Sequence, residues 1–385
     1  MKSIRVITVA TTVAAMVSCF PSQNSFAQED ISDALAAVVA VDINGQGHER
    51  AVAAMEKLNQ VSPSQIPELL RAMNGANKIS QNWLRGAIQS ALRNEGKLPA
   101  GEIEAYFQDS TGSDLGRLLA FEILSGINQE NAKTIIPKLV DDPSLPLKRM
   151  AIDYHIEQAN AAEENGEISK AVGELGFALT RARDLDQIDS IANTLERLGV
   201  SVDLRTQLGF IQSWHVVAPF DNTDESGFDK PLGPELNPKE IDLESTYADS
   251  KSGEEIQWQV ANSADRQSVV DLNEVFGNEK FATAYAYAEF QSDKDQTVNI
   301  RIGCINGNKV WVNGELIISN EIYHVGMQPD QFMGKAKLVA GTNKILFKVC
   351  QNDQKQPWAQ DWQFQLRICD DSGQAIKQAE PEEQE

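Results

Sequence analysis

Hydrophobic and polar residues alternate with a period of two over much of the chain after residue 206. Val298, Ile300, Ile302 and Cys304 fall on one face of such a run. The pattern predicts short strands that each bury one side, as in a two-sheet β-sandwich of the jelly-roll type. The predicted strands are 211–220, 283–290, 297–305, 309–319, 336–339, 343–351 and 362–369. Residues 221–255 are acidic and contain several Gly and Pro, which predicts a mostly irregular loop.

Before residue 206 the apolar residues recur at the three- and four-residue intervals of amphipathic helices, and one motif repeats. Three arginines stand 32 residues apart, each near the start of an apolar helical stretch: Arg85, Arg117 and Arg149. An Asn or Asp lies eight residues before each of them: Asn77, Asp109 and Asp141. A helix pair in every repeat predicts an α-solenoid, an architecture whose concave face binds other chains.

These repeats resemble HEAT repeats, most closely over 141–151. The resemblance implies that the arginines pair with acidic residues in the turns, with a ligand role as the alternative. Residues 167–198 look more like a tetratricopeptide (TPR) pair that closes the stack. Helices that precede strands predict a multidomain chain, α then β, rather than an interleaved sheet.

The N-terminus predicts export. Lys2 and Arg5 precede the apolar run 6–17, and the small-residue site 25–27 follows, as in a cleaved signal peptide. The run is shorter than the roughly 20 residues of a membrane-spanning helix, and no later segment approaches that length. We therefore expect a periplasmic or secreted protein, with a lipid anchor on Cys19 as the alternative. The predicted domains are a signal peptide (1–27), a helical-repeat domain (28–205), a β-sandwich (206–370) and a disordered acidic tail (371–385).

Two Asn-Gly turn signals lie within 302–318, around a Trp-x-Asn-Gly sequence that begins at Trp311. With the aromatic and acidic motifs over 210–370, this sequence resembles a β-domain of exported planctomycete proteins. That domain is similar to galactose-binding-like modules and to the sugar-binding jelly rolls of glycosidases. The resemblance implies a β-sandwich that binds a glycan or a surface polymer. This chain departs from the family pattern at 305–308, where Asn306 and Gly307 replace an Asp-Asp-Gly turn.

Charge and cysteine content narrow the possible partners. With 34 basic and 56 acidic residues the formal net charge is −22, which argues against a nucleic-acid partner. An acidic surface suits solubility, neutral glycans and divalent cations. Of the cysteines beyond the signal peptide, Cys350 and Cys369 are placed to form a disulfide, and unpaired buried thiols are the alternative.

Aromatic and polar residues in and beside the late strands and loops are the ligand candidates. They are Trp311, Asn313, Tyr323, His324, Trp358, Asp361 and Trp362. The alternative for Asn313 is a tight turn, and the alternative for the aromatic residues is ordinary packing. Four acidic residues of the long loop are candidate Ca²⁺ ligands, with a solvated loop as the alternative: Asp221, Asp224, Asp229 and Glu235. No other cofactor is indicated.

No nucleophile elbow, metal-binding His-x-x-x-His helix or phosphate-binding glycine loop is present in the sequence. This favours an exported non-catalytic binding protein, whose β-sandwich binds a glycan and whose solenoid binds a protein partner. One alternative is a structural envelope scaffold with protein contacts only. Another is an enzyme, similar to a polysaccharide hydrolase, with carboxylates clustered in a cleft at the domain junction.

Overall fold

The computed structural model describes residues 30–249, 251–263 and 265–379. The predicted signal peptide, Cys19 and the last six residues lie outside this range, so export stays a prediction. The described chain is helical first and then forms antiparallel sheets, as the hydrophobic pattern predicts. Among the described residues, no helix is both long and apolar enough to cross a bilayer.

The helices are α1 (Ser32–Val39), α2 (His48–Leu58), α3 (Ile66–Ala72), α4 (Lys78–Ala91), α5 (Ala100–Gln108), α6 (Asp114–Ile127), α7 (Gln129–Ile135), α8 (Leu145–Glu164), α9 (Ile168–Leu179), α10 (Leu185–Arg197), α11 (Leu204–Leu208) and α12 (Leu272–Phe276). The chain forms two compact units that meet in sequence between Tyr106 and Phe107. In the first unit, α1 packs on α2 and α4. Its core contains Leu35, Val38, Leu58, Leu69, Leu84 and Ile88.

The polar residues of the repeat have structural roles. Asn77 caps α4, because its Oδ1 accepts a hydrogen bond from the Ser80 amide at 3.0 Å. In the second unit, the buried Arg117 of α6 forms two hydrogen bonds to Asp142, at 2.6 and 2.8 Å. Arg149 of α8 pairs with acidic side chains at the start of α10, Asp184 and Asp186. The expected pairing is confirmed for these two arginines, whereas a solenoid stays a prediction.

The strands are β1 (Ser213–Asp221), β2 (Thr246–Ala248), β3 (Glu255–Gln257), β4 (Gln259–Asn262), β5 (Val270–Asp271), β6 (Ala282–Ser292), β7 (Gln296–Cys304), β8 (Gly307–Val312), β9 (Glu315–Asn320), β10 (Phe332–Leu338), β11 (Gly341–Gln351) and β12 (Gln363–Cys369). One sheet has the order β4-β1-β6-β11-β8-β9, and the facing sheet has the order β10-β7-β12-β5. The short strands β2 and β3 pair with each other. All these pairings are antiparallel.

The core between the two sheets holds the residues that the alternation assigns to one face. Val298, Ile300, Ile302 and Cys304 of β7 all point into it. At its centre the ring of Trp214 packs edge-on against Phe364, with ring centroids 5.3 Å apart. The Asn313–Gly314 turn joins β8 to β9 with φ of 52° and 80°, as expected for a tight hairpin turn of this sequence.

The outer face of the six-stranded sheet carries a second apolar cluster. Tyr285, Tyr287, Trp311 and Leu346 point outward there. Leu232 and Tyr247 of the long acidic loop cover them, together with Trp258, which lies just after that loop between β3 and β4. The loop is mostly irregular, as expected. Its apolar side chains nevertheless pack on the sheet, so the loop does not simply extend into solvent.

A buried ion pair fastens this loop to the sheet. Lys348 of β11 is fully buried, and its Nζ donates to Glu235 Oε2 at 2.6 Å. The hydroxyl of Tyr285 donates to the same oxygen at 2.7 Å. We call these three residues the Lys348 centre. Burial raises the pKa of Tyr285, and the charge of Glu235 raises it further, so the phenol stays protonated.

The three cysteines of the β-sandwich are buried free thiols: Cys304, Cys350 and Cys369. The structure therefore favours the thiol alternative over a disulfide between Cys350 and Cys369. Burial raises the pKa of Cys304 to about 12 and that of Cys350 to about 11.

Residues 371–379, part of the predicted tail, are held on the sandwich. The Ile376 amide donates to the Ile368 carbonyl at 3.0 Å, and the Ala379 amide donates to the Gln291 carbonyl at 3.0 Å.

Candidate functional site

The seven predicted ligand residues separate into two groups. Trp311 is 6% exposed beneath the acidic loop, and Trp362 is fully buried between the sheets. Asn313 belongs to the hairpin turn, where its Nδ2 donates to Asn343 Oδ1 at 2.8 Å. These three residues have structural environments: the two tryptophans are buried, and the side chain of Asn313 is used within the turn. Tyr323, His324, Trp358 and Asp361 remain, and they lie at one end of the sandwich.

Trp358 is the exposed aromatic residue of this group. Its side chain is 62% exposed, on a loop that follows β11. The ring of His324 meets it edge-on, with ring centroids 5.5 Å apart. His324 is held in turn by its Nε2, which lies 2.6 Å from Asn352 Oδ1. The ring of Tyr323 is tilted against that of His324, with ring centroids 6.3 Å apart. Trp358 is thus presented to solvent on a supported loop.

A buried layer of amides lies under these aromatic rings. Asn306 is fully buried, accepts a hydrogen bond from the His324 amide at 3.3 Å and donates to the carbonyl of Asp361 at 3.2 Å. Gln351 bonds to Asn306 at 3.2 Å. Asp361 therefore contributes its backbone to this layer. Asn306 organises the site, a role beyond that of the tight turn expected from Asn306-Gly307.

Beside the rings is a small cavity of about 190 Å³ that we call the carboxylate pocket. Its lining residues are Asn222, Asp224, Glu225, Phe281 and Asp353. The pocket is linked to Trp358 through Asn352, whose Nδ2 donates to Glu225 Oε1 at 3.0 Å and whose Oδ1 contacts His324.

The sheet register explains why these distant segments meet. Ala282, the first residue of β6, pairs with Asp221 at the end of β1 and with Gln351 at the end of β11. The loops that follow β1 and β11 and the segment that precedes β6 are therefore neighbours. Two backbone hydrogen bonds join them, from Asn222 to Phe281 at 2.9 Å and from Phe281 to Asn352 at 3.1 Å.

The backbone at this end of the sandwich is strained. Four residues without the freedom of glycine have positive φ here: Asp224 (53°), Glu225 (61°), Phe281 (53°) and His324 (55°). Such a conformation is uncommon for most residues and is a genuine outlier for a bulky side chain such as Phe281. Strained residues persist where the surroundings fix them, and they cluster at binding sites.

The charged residues that line the pocket are all acidic. Three carboxylates line it, and no ion pair joins Asp224, Glu225 or Asp353 to a basic side chain within the described residues. Tyr323 adjoins the pocket, where its hydroxyl accepts from Asn222 Nδ2 at 3.4 Å. Burial raises the pKa of Tyr323, and Cys350 and then Glu225 raise it further. The phenol is therefore neutral.

The four candidate Ca²⁺ ligands are not brought together. Glu235 belongs to the Lys348 centre, and Asp229 lies 3.6 Å from Lys309. Asp221 accepts hydrogen bonds from the Thr223 hydroxyl and amide, which lower its pKa. Asp224 alone lines the pocket. Within the described ranges, no group of three His, Cys, Asp or Glu side chains is placed to hold a metal ion.

Sequence reasoning did not select several residues of the site. They are Asn222, Glu225, Phe281, Asn306, Asn352 and Asp353. A local signal did exist in two short polar runs, 221–225 and 351–354, that follow strong strands. Only the pairing of both strands with β6 shows that the two runs meet.

The cleft that an enzyme would use at the junction of helices and strands lacks clustered acids. A cavity of about 480 Å³ lies between the end of α11, the start of β1 and residues 376–378. Of the residues that line it, Glu289 alone is acidic.

The chain is thus of the multidomain α-then-β class: a helical segment is followed by an antiparallel two-sheet sandwich. An aromatic and acidic site lies at one end of the sandwich. No protein-family model matches the chain, and no curated protein matches it.

Among solved structures, one similar chain is a β-glucosidase from Kluyveromyces marxianus in complex with glucose. It is 14% identical over 29% of this chain and 14% of that chain, with a TM-score of 0.22. A β-glucuronidase from an uncultured Clostridium species is 9% identical over 42% and 29% of the two chains, with a TM-score of 0.26. A β-glycosidase from Bacteroides vulgatus is 15% identical over 42% and 20%, with a TM-score of 0.22. The chain spans less than a third of the length of each of these proteins, and TM-scores this low carry no argument.

Proposed function

We propose that the chain is a non-catalytic binding protein whose β-sandwich binds a carbohydrate across Trp358. The exposed indole of Trp358, supported by His324 and Asn352, is the observation that carries this proposal. By contrast, two other tryptophans, Trp214 and Trp362, are fully buried in the core of the sandwich. A large apolar ring left exposed on a supported loop is typical of a binding surface.

The chemistry around Trp358 suits a sugar. A sugar ring has an apolar face of C–H groups, which packs on the electron-rich face of an indole. It also has hydroxyl groups, which need hydrogen-bond partners at its rim. Exposed carboxylates supply such partners here, namely Glu225 and Asp353. The Asn352 side chain, which donates to Glu225 Oε1 at 3.0 Å, holds this carboxylate in place before a ligand arrives, which lowers the entropy cost of binding.

Two further parts of the proposal concern the rest of the chain. We propose that the protein is exported, which rests on the sequence pattern of residues 1–27. We also propose that the helical half binds a protein partner. Exposed apolar side chains on its helices, Val52 of α2 and Phe177 of α9, offer such contacts.

A glycan array probed with the purified full chain tests the carbohydrate proposal. We expect binding to a restricted set of glycans, and Trp358→Ala should weaken it at least tenfold, about 1.4 kcal/mol, because the stacking surface is lost. Met333→Ala is the matched control, since Met333 is 59% exposed on β10 of the other sheet. Its affinity should equal that of the unmodified protein.

If no glycan on the array binds the protein, the carbohydrate proposal is refuted and the scaffold alternative with protein contacts only is favoured. Binding that Trp358→Ala leaves unchanged would place the carbohydrate elsewhere on the molecule. Hydrolysis of a bound glycan by the purified chain would instead support the enzyme alternative.

A further inference from the structure

We propose that the edge of the six-stranded sheet at β4 binds an extended, basic segment of a partner protein, which adds to the sheet as a further strand. This interaction goes beyond carbohydrate binding at Trp358 and does not depend on it. The surface is a groove between β4, β5 and α12 that we call the β4 groove. It shares no lining residue with the carboxylate pocket beside Trp358.

The backbone of β4 has hydrogen-bonding groups that the sheet does not use. β4 is the last strand on its side of the sheet, and among the described strands it pairs only with β1. The Ser263 amide donates to the Gln212 carbonyl at 3.1 Å, so in this register the backbone groups of Ala261 face β1. The N–H and C=O groups of Val260 and Asn262 therefore point away from β1, and no described residue forms a hydrogen bond with them. They are the groups that an added strand would pair with.

The other three edges of the two sheets are each protected in a way that β4 is not. β10 carries Lys335 and Lys337, the pairing of β9 with β8 is interrupted by a register shift, and β5 is only two residues long. β4 has four residues, none of them charged and none of them proline, and its register with β1 is regular. Its Val260 side chain is 58% exposed. An edge without such protection is a template for another strand.

The β4 groove has room for side chains of an added strand. Its volume is about 610 Å³, within the roughly 300–1,000 Å³ that is usual for ligand pockets. Four apolar side chains contribute to its lining: Val260, Val269, Val275 and Met327. Because successive side chains of a strand point to opposite faces, every second side chain of an added strand would face this groove. Apolar side chains suit those positions.

The charges beside this edge identify the partner as basic. The charged residues that line the β4 groove are all acidic: Asp265, Asp271 and Glu274. None of the three forms an ion pair within the part of the chain that the structure describes. Asp271 is held in place by hydrogen bonds from the Asn273 amide at 2.9 Å and from Gln363 Nε2 at 2.7 Å. A second copy of this chain would bring like charges to the groove, whereas a basic segment would complement them.

Fluorescence anisotropy of the full chain with three labelled octapeptides tests the inference. One alternates Lys and Val, the second alternates Glu and Val, and the third alternates Lys and Pro. The second keeps the strand propensity and reverses the charge, whereas the third keeps the charge and lacks the backbone N–H at every Pro. We expect the Lys-Val peptide to bind at least about tenfold more tightly than the other two. Its affinity should fall when the salt concentration is raised, because screening weakens the attraction of exposed charges.

Variants of the exposed edge residue locate the contact. Val260→Lys should reduce the affinity for the Lys-Val peptide about tenfold, because it places a like charge on the edge. Val339→Lys is the matched control, since Val339 is 48% exposed just after β10, and it should bind like the unmodified protein. Val260→Pro removes one outward N–H without removing a bond to β1, and it should reduce the affinity about fivefold. In the unmodified protein the bound peptide should slow hydrogen exchange at the amides of Val260 and Asn262 about tenfold.

Several results would overturn the inference. Equal binding of the Lys-Val and Lys-Pro peptides would mean that charge alone attracts them and that no strand is added. Binding that Val260→Lys leaves unchanged would place the peptide elsewhere, and absence of binding to all three peptides would remove the site. A dimer of the free chain that Val260→Lys converts to a monomer would assign the edge to a second copy of this chain. None of these results bears on the glycan array, so the carbohydrate proposal stands or fails separately.

Discussion

The Lys348 centre and the carboxylate pocket are built from the same acidic loop, yet their acids have opposite surroundings. Glu235 is covered, and it receives hydrogen bonds from a fully buried lysine and from Tyr285. Asp224 and Glu225 are exposed, strained and without a basic partner among the described residues. The difference teaches that acidity along a loop does not define one role. A carboxylate that the chain neutralises holds the fold together, and one that it leaves unneutralised is available to a ligand.

The strongest test of this contrast removes the acid of the Lys348 centre. Glu235→Ala leaves the Lys348 ammonium buried without a counter-charge, so we expect the free energy of unfolding to fall by about 3–5 kcal/mol. Urea unfolding of the full chain measures it. Glu240→Ala, which removes an exposed acid of the same loop, is the control and should change the free energy little. A loss below about 1 kcal/mol for Glu235→Ala would mean that the centre does not hold the loop.

The second test extends the contrast to pH. Burial pushes the pKa of Asp330 upward, but the hydrogen bonds and charges of Arg367 and Arg301 outweigh this and lower it below the ordinary value of 3.8. A group with a lowered pKa contributes stability above its ordinary pKa, and this contribution disappears as the pH falls through the folded-state value. The unmodified protein should therefore lose more stability than Asp330→Asn between pH 6 and pH 3.

Urea unfolding at several pH values measures this difference, with Asp353→Asn as a variant that should keep the acid sensitivity of the unmodified protein. Parallel pH profiles for Asp330→Asn and the unmodified protein would show that the two arginines do not tune Asp330.

The smallest effect is expected in the carboxylate pocket. Asp224→Asn and Asp353→Asn remove acids that repel each other and have no ion-pair partner among the described residues, so the free energy of unfolding should stay within about 0.5 kcal/mol of the original. The same urea experiment measures it. A large loss of stability in either variant would assign these acids to the fold and erase the contrast with Glu235.

The local alternation of hydrophobic and polar residues in the sequence predicts much of the fold. The alternation that predicts 283–290 as a strand also assigns Ala284 and Ala286 to one face and Tyr285 and Tyr287 to the other, as the structure has them. The very short strands β2 to β5 were not predicted, because runs of two to four residues carry too few positions for a period to appear.

The site could be predicted only in part, and two tryptophans show why. Alternation places Trp311 on the outer face of its strand, which is correct, but residues more than fifty positions earlier cover it. Trp358 has no such cover and remains exposed. Whether an outward residue is covered depends on contacts between distant segments. The same is true of Asn222, Phe281 and Asn352, which meet where the ends of β1, β6 and β11 lie side by side. Local periodicity carries no information on either point.

The arginine pairs of the helical segment have a consequence for how such a chain can grow. Arg117 reaches forward to Asp142, and Arg149 reaches forward to Asp184 and Asp186. The segment that holds both Asp142 and Arg149 thus brings an acceptor for the arginine before it and an arginine for the acids after it. A duplicate of this segment inserted in register would enter with both halves of the ion pair already supplied. Its tandem duplication would therefore leave every one of these arginines with an acidic partner.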